Sequence, residues 1–276
     1  MIAREQAPVA FGAWDELLGA LASTLPPDLM EEAGAIARAG LDPTAPAVPT
    51  SAAVTFASQM VVDVASISAD VRAAGLAELG ATGATFLLAV WAEDMRLRAG
   101  TAWRALFGDA WDPAPAAATD PWTAHERFLL EVAKLSALDP VTSELVRLRG
   151  ARAHDCRLCQ SRRNVVAIDL AGGRALFEDA DPIGLSDVQT LALHVVDTFV
   201  WQPTRWPAGL GRQVLETLGP AAATELILDI MRNAANKIAV AFGVDDPQVE
   251  SGVEFYAIDE STGDLRYDVA PAIHTA

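Results

Sequence analysis

Residues 139–163 read DPVTSELVRLRGARAHDCRLCQSRR, and this stretch predicts two helices joined by a short turn. Its first two residues, an aspartate and a proline, are typical of a helix start. Aspartate caps free backbone N–H groups, and proline fits the first helical position. We therefore expect one helix over Pro140–Ala153 and a second over residues 156–170, forming an antiparallel pair that turns near His154.

Alanine-rich amphipathic segments, punctuated by proline and glycine, continue this helical pattern through most of the chain. Further helices are predicted near residues 14–24, 27–39, 51–65, 68–79, 81–107, 123–137, 186–200, 207–218 and 221–242. Two strand-like runs, at 253–258 and 265–269, flank a turn at 261–264 and predict a small hairpin. The expected fold class is all-α, with this small C-terminal β-hairpin.

Residues 112–121 contain three prolines among alanines, a composition typical of an interdomain linker. We expect an N-terminal helical domain at 1–111, a linker at 112–121, a cysteine-bearing domain at 122–250, and a hairpin with tail at 251–276. A weak internal repeat is also visible, since VVD at 61–63 recurs at 195–197. The two halves could therefore have arisen by duplication, with a first half that lacks the cysteines, and the sequence leaves this open.

The composition limits which classes of partner the chain is expected to bind. The formal net charge is −17, which disfavours binding to nucleic acid or to an anionic membrane surface. No run reaches the roughly 18 apolar residues of a membrane span, and residues 1–6 lack the apolar core of a signal peptide. We therefore expect a cytoplasmic protein. No glycine-rich phosphate loop or paired metal-ligand motif is visible, so we expect neither a cofactor nor a metal site.

Cys156 and Cys159 are the only cysteines. Residues three apart on a helix share one face, within disulfide reach of each other. Asp155 is a plausible N-cap, which would place Cys156 in the first helical turn, where the helix dipole favours a thiolate. Four arginines, at positions 152, 157, 162 and 163, add positive charge. These features predict thiol–disulfide redox chemistry.

Two structural interpretations compete with this one. Paired cysteines one turn apart can be inert core packing. Zinc is the other possibility, but structural zinc sites use four ligands, and only His154 lies near the pair.

A glutamate, twelve residues to the first cysteine and then C-x-x-C, here Glu144, Cys156 and Cys159, is similar to the core of AhpD-like alkylhydroperoxidases. These belong to the wider carboxymuconolactone decarboxylase-like family, and the segment 221–242 also resembles that family's closing helix. The resemblance covers roughly residues 120–245. It implies an AhpD-like helical bundle, a homo-oligomer, a hydroperoxide or disulfide substrate and a thiol electron-donor protein. It also implies that Cys159 attacks, that Cys156 resolves and that Glu144 feeds a proton relay.

The chain departs from the family pattern at Arg163, where a histidine is expected. In a helical hairpin turning near His154, Glu144 and Arg163 lie at equal distances from the turn, so we predict an ion pair between them. Arginine stays charged and cannot shuttle a proton, so the relay would be broken or rerouted. His154 is a candidate for the mouth of the site. His194 is a weaker one, since a lone histidine on an apolar helix is typical of a core.

Three functions stay open. The first is a thiol-dependent oxidoreductase. The second is a catalytically degenerate relative that binds a small molecule or acts as a scaffold. The third is a lyase of the carboxymuconolactone decarboxylase type.

Overall fold

The computed structural model describes residues 2–108, 110–111, 113–117 and 120–272. These residues form a mostly helical protein with a small sheet near the C-terminus, so the predicted all-α class with a C-terminal hairpin is confirmed.

The first half contains the five predicted helices, but the first of them begins at Pro8 rather than near Trp14, and helix α1 (Ile2–Gln6) before it was not predicted. Prolines open two of its helices, and the Ser51 and Ser68 side chains cap two others by accepting from the Val54 and Val71 N–H groups. Its helices are α1 (Ile2–Gln6), α2 (Pro8–Thr24), α3 (Pro27–Leu41), α4 (Ala52–Asp63), α5 (Ala69–Leu79) and α6 (Gly83–Phe107).

The second half contains α7 (Pro121–Ala133), α8 (Pro140–Ala153), α9 (Arg157–Gln160), α10 (Val165–Ala171), α11 (Asp187–Trp201), α12 (Leu210–Asn233) and α13 (Asn236–Phe242). Helix α8 has the predicted bounds, and Asp139 caps it by accepting from the Thr142 N–H. Helix α12 joins two predicted helices across a kink at Gly219, whose φ of 74° places it in the left-handed region before Pro220.

The predicted helix over 156–170 is wrong. Helix α9 has only four residues, and strand β1 (Arg162–Asn164) follows it before α10 begins. Strand β1 pairs in parallel with β2 (Glu254–Ile258), which forms the predicted hairpin with β3 (Leu265–Arg266). Pairing with a strand about ninety residues away therefore outweighs the local helical pattern.

The segment expected to be a linker lies against α2 where it is described. The Ala116 N–H donates to the Asp15 carbonyl oxygen at 2.9 Å, and the Ala114 N–H donates to the Asp15 carboxylate at 3.1 Å. Gly19 allows this approach, because a Cβ there would lie 1.7 Å from the Ala116 oxygen. Described residues on both sides of 112–121 pack into one hydrophobic cluster, so the expected domain boundary does not divide the core.

A buried ion-pair group ties α6 to α13. Asp94 accepts from Arg98 at 2.6 Å and from Lys237 at 2.7 Å, and all three residues are buried. The stretch Ala69–Phe107 is long and apolar enough to cross a membrane by length and composition alone. Most residues of α6 itself are buried, among them Asp94 and Arg98.

Candidate redox site

The two cysteines form the centre of the site. Both are free thiols, and their sulfur atoms lie 2.7 Å apart. Asp155 is not the N-cap that the sequence predicted: its φ of 50° is left-handed, a conformation aspartate tolerates. Cys156 itself occupies the cap position, and its sulfur accepts from the Cys159 N–H at 3.3 Å.

The two thiols differ in their access to solvent. Cys156 is fully buried, whereas Cys159 is half-buried. Cys159 lines an open cavity of about 470 Å³, here called the thiol cavity, between α7, the start of α13 and the hairpin. A molecule entering this cavity meets Cys159 first.

The thiols also differ in acidity. The hydrogen bond from Cys156 is the main cause that lowers the pKa of Cys159, to about 7; burial acts in the opposite direction, and Arg147 and Asn236 lower the pKa by smaller amounts. The same hydrogen bond and burial raise the pKa of Cys156. Cys159 is therefore the first of the two thiols to lose its proton, while Cys156 keeps its own.

Arg147 connects this pair to Glu144. Its guanidinium forms two hydrogen bonds of 2.7 Å with the Glu144 carboxylate. It also donates to the carbonyl oxygens of Cys159 and Arg162, each at 2.7 Å. Sequence reasoning missed Arg147, although its position three residues after Glu144 on α8 places both side chains on one face.

The predicted Glu144–Arg163 ion pair is wrong. Arg163 is buried and donates to the carbonyl oxygens of Gln160 and Arg162, and its nearest carboxylate is that of Glu178 at 3.5 Å. The cause is the break after α9. Strand β1 brings the Asn164 N–H, rather than the Arg163 side chain, to Glu144, at 3.1 Å.

Tyr256 is a further contact of Glu144 that sequence reasoning missed. Its hydroxyl donates to the Glu144 carboxylate at 2.8 Å, and the Arg147 guanidinium lies 5.5 Å from the ring centroid. Burial raises the pKa of Tyr256, so its phenol stays protonated. Tyr256 lies on β2 and reaches the site only through the β1–β2 pairing.

His154 reaches Cys159 through Asn236. The His154 Nδ1 lies 2.8 Å from the Asn236 Oδ1, and the Asn236 Nδ2 donates to the Cys159 sulfur at 3.7 Å. Burial, with a smaller effect from Lys237, lowers the pKa of His154 to about 3, so the ring is neutral. Because the amide oxygen only accepts, Nδ1 carries the proton. His154 is buried and is hydrogen-bonded to the Asn236 side-chain amide, so it does not lie at the mouth of the site as predicted.

Only some of the four arginines that were predicted to add positive charge lie at the site. Arg162 lines the thiol cavity. Arg157 instead pairs with Asp245 at 2.9 Å and Asp246 at 2.7 Å, and Arg152 donates to the Phe177 carbonyl oxygen. Asp245 also accepts from the Arg157 backbone N–H at 2.9 Å, which occupies a free donor at the start of α9.

The two other histidines that the structure describes differ in their position relative to the thiol cavity. His194 is exposed on α11 and does not line the thiol cavity. His125 does line it, which no local pattern predicts, and its ring lies 4.9 Å from that of Trp91. Burial lowers the pKa of His125 to about 4. The described part of the chain contains no group of three or more His, Cys, Asp or Glu residues placed to hold a metal ion.

A second cavity, of about 370 Å³, adjoins the first and is here called the acidic cavity. The two cavities share Arg147, Arg232, Asn233 and Tyr256 as lining residues. Glu225 and Asp229 line only the acidic one, and burial raises their pKa values to about 7 and about 6.

The fold and the site define a helical protein with a free C-x-x-C dithiol whose second thiol faces a cavity. The chain belongs to the family of two Mycobacterium tuberculosis proteins, "Uncharacterized protein Rv2313c" and "Uncharacterized protein MT2376". It is 38% identical to each over an alignment of 226 residues, which covers 77% of this chain and 80% of the relative. No protein-family model matches the chain, and no solved structure matches it.

Proposed function

We propose that this chain is an AhpD-like thiol oxidoreductase that reduces a hydroperoxide or a partner's disulfide. Cys159 is the attacking thiol and Cys156 the resolving thiol. One observation carries the proposal: the thiol with the lowered pKa lines the cavity, and its partner sulfur lies directly behind it at 2.7 Å.

The reaction with a hydroperoxide, ROOH, has two steps. The Cys159 thiolate attacks the terminal oxygen, the O–O bond breaks, and the alkoxide leaves with the electron pair and takes a proton from solvent. Cys159 is then a sulfenic acid. Next the Cys156 sulfur attacks the Cys159 sulfur, the S–O bond breaks, and hydroxide leaves with the Cys156 proton as water. The dithiol has lost two electrons, and ROOH has become ROH and water. Two thiol groups of an electron donor then reduce the protein disulfide and are themselves oxidised to a disulfide.

The other predicted site residues take indirect roles in this proposal. Glu144 holds Arg147 and Tyr256 in place, and Arg147 favours the thiolate. His154 orients the Asn236 amide toward the sulfur. Arg163 does not line the thiol cavity and serves the local fold. A homo-oligomer and a thiol electron donor accompany this proposal as expectations of the resemblance, and a cytoplasmic location as an expectation from the sequence.

A binding protein without turnover is the second candidate, favoured by the two adjoining cavities of about 470 and about 370 Å³. Volumes in this range suit a small organic ligand. A lyase of the wider family is the third candidate, and it would work without either thiol.

Stopped-flow mixing of the reduced protein with cumene hydroperoxide separates these candidates. We expect both thiols to disappear together, much faster than free cysteine reacts at the same pH. The Cys159→Ser variant should lose this reaction, and Cys156→Ser should consume one equivalent and stop at the sulfenic acid. A wild-type rate no greater than that of free cysteine would contradict the proposal and leave the binding protein. Lyase activity that survives loss of both thiols would establish the third candidate instead.

A further inference from the structure

We infer that the thiol cavity selects oxidants that carry a carboxylate or a similar anionic group, and that Arg232 binds this group. The inference rests on the proposed function, because it names the substrate class of the same site.

Charge balance among the cavity arginines singles out Arg232. Arg147 is neutralised by Glu144 at 2.7 Å, and Arg162 by Glu254 at 2.6 Å. Arg232 donates its Nε–H to the Leu129 carbonyl oxygen at 3.1 Å and forms no ion pair with the described residues. Its two Nη groups therefore keep free donors that suit a carboxylate.

The other charges near the cavity do not cancel this guanidinium. Glu126 and Asp264 line the cavity but are exposed. Asp229 lies one turn before Arg232 on α12 and interacts with it electrostatically, but the two side chains form no ion pair, burial raises the pKa of Asp229 to about 6, and Asp229 lines the acidic cavity rather than the thiol cavity. His125 is neutral at physiological pH, because burial lowers its pKa to about 4.

Apolar side chains complete the wall. Leu129, Leu130, Ala235 and Leu265 line the cavity together with Cys159 and Arg232. A cavity of about 470 Å³ has room for an organic molecule, whose apolar body would pack on these side chains. The arrangement fits an organic hydroperoxide or disulfide with an acidic group better than hydrogen peroxide.

Two small disulfides of opposite character test this selection. One is 5,5′-dithiobis(2-nitrobenzoate), which carries carboxylates, and the other is 4,4′-dithiodipyridine, which is neutral. In each reaction the Cys159 thiolate attacks one sulfur, the S–S bond breaks, and an arylthiolate leaves with the electron pair. Cys156 then loses its proton to solvent and attacks Cys159, and the second arylthiolate leaves as the protein disulfide forms.

The measured quantity is the ratio of the anionic to the neutral rate. A charge-assisted hydrogen bond is worth about 1.5–3 kcal/mol, so we expect Arg232→Met to lower this ratio at least about 10-fold. Arg232→Gln, which keeps a donor for Leu129, should lower it similarly. Arg212→Met is the matched control, since Arg212 lies on the same helix but outside both cavities, and it should leave the ratio unchanged.

The outcomes separate the two proposals. A ratio that both Arg232 variants leave unchanged, in a protein that still reacts with the neutral disulfide, would overturn the anion-binding inference alone. Failure of the wild-type protein to react with either disulfide faster than free cysteine would overturn the proposed function itself.

Discussion

The Arg147 Nη1 donates to the Cys159 carbonyl oxygen at 2.7 Å, while the same guanidinium binds the Glu144 carboxylate. This contact fastens the short cysteine helix α9 to α8. It also places a permanent positive charge beside the thiol that faces the cavity, which helps to lower the pKa of Cys159.

Removing Arg147 should destabilise the protein. The Glu144 side chain is 1% exposed, so Arg147→Met leaves a buried carboxylate without its cation. We expect the free energy of unfolding to fall by about 3–5 kcal/mol, measured by urea denaturation. Replacing the exposed Arg212 by methionine should change it by less than about 0.5 kcal/mol. A loss below about 1 kcal/mol for Arg147→Met would mean that the ion pair contributes no more than a surface pair.

Removing the Asn236 amide should make Cys159 less acidic. Its hydrogen bond to the sulfur favours the thiolate, so Asn236→Ala should raise the pKa of Cys159. The pH dependence of alkylation by iodoacetamide measures this shift. Asn233→Ala is the matched control, because Asn233 lines the same cavity. An equal shift in both variants would contradict a specific role for Asn236.

The reaction of Cys159 should depend on pH near neutrality. The thiolate is the reactive form, so the alkylation rate should rise with pH and reach half its maximum near the pKa of about 7. The hydrogen bond from Cys156 is the main cause of this low pKa, so Cys156→Ala should move the midpoint up, toward that of an ordinary thiol. A midpoint that stays near neutrality in Cys156→Ala would assign the effect to the surrounding charges instead.

Stability should fall as pH rises toward neutrality, because of Glu225. Burial raises its pKa from the ordinary 4.5 to about 7, so the folded state holds this proton more tightly than the unfolded state. Its contribution to stability is therefore fully present below pH 4.5 and is lost as pH rises through about 7. Urea midpoints across this range should vary less in Glu225→Gln than in the wild-type protein, and exposed Glu216→Gln should have no effect. An unchanged pH dependence in Glu225→Gln would contradict this assignment.

Local signals predicted the helices well and long-range pairing poorly. The bounds of α8 could be predicted because Asp139 and Pro140 mark its start in the sequence itself. The break after Gln160 could not, because residues 165–170 continue an apolar pattern that suits a helix, while strand β1 depends on β2 near the other end of the chain.

The dependence on long-range pairing also explains why only some residues of the site could be predicted from the sequence. The cysteine pair and Glu144 are visible as a spacing in one segment. Tyr256 reaches the site only once β2 has paired with β1, and Asn236 only once α13 has taken its place in the fold, so no local spacing reveals either residue. The predicted Glu144–Arg163 ion pair is wrong for the same reason, because it assumed an uninterrupted helix after Cys156.

The identity of the attacking thiol is the most direct test of this account. Reduced Cys156→Ser and Cys159→Ser proteins would each be treated with one equivalent of cumene hydroperoxide and dimedone, which traps sulfenic acids, and then mapped by peptide mass spectrometry. We expect a dimedone adduct on Cys159 in the first variant and no adduct on Cys156 in the second. An adduct on Cys156, or none on Cys159, would contradict the proposed roles of the two thiols.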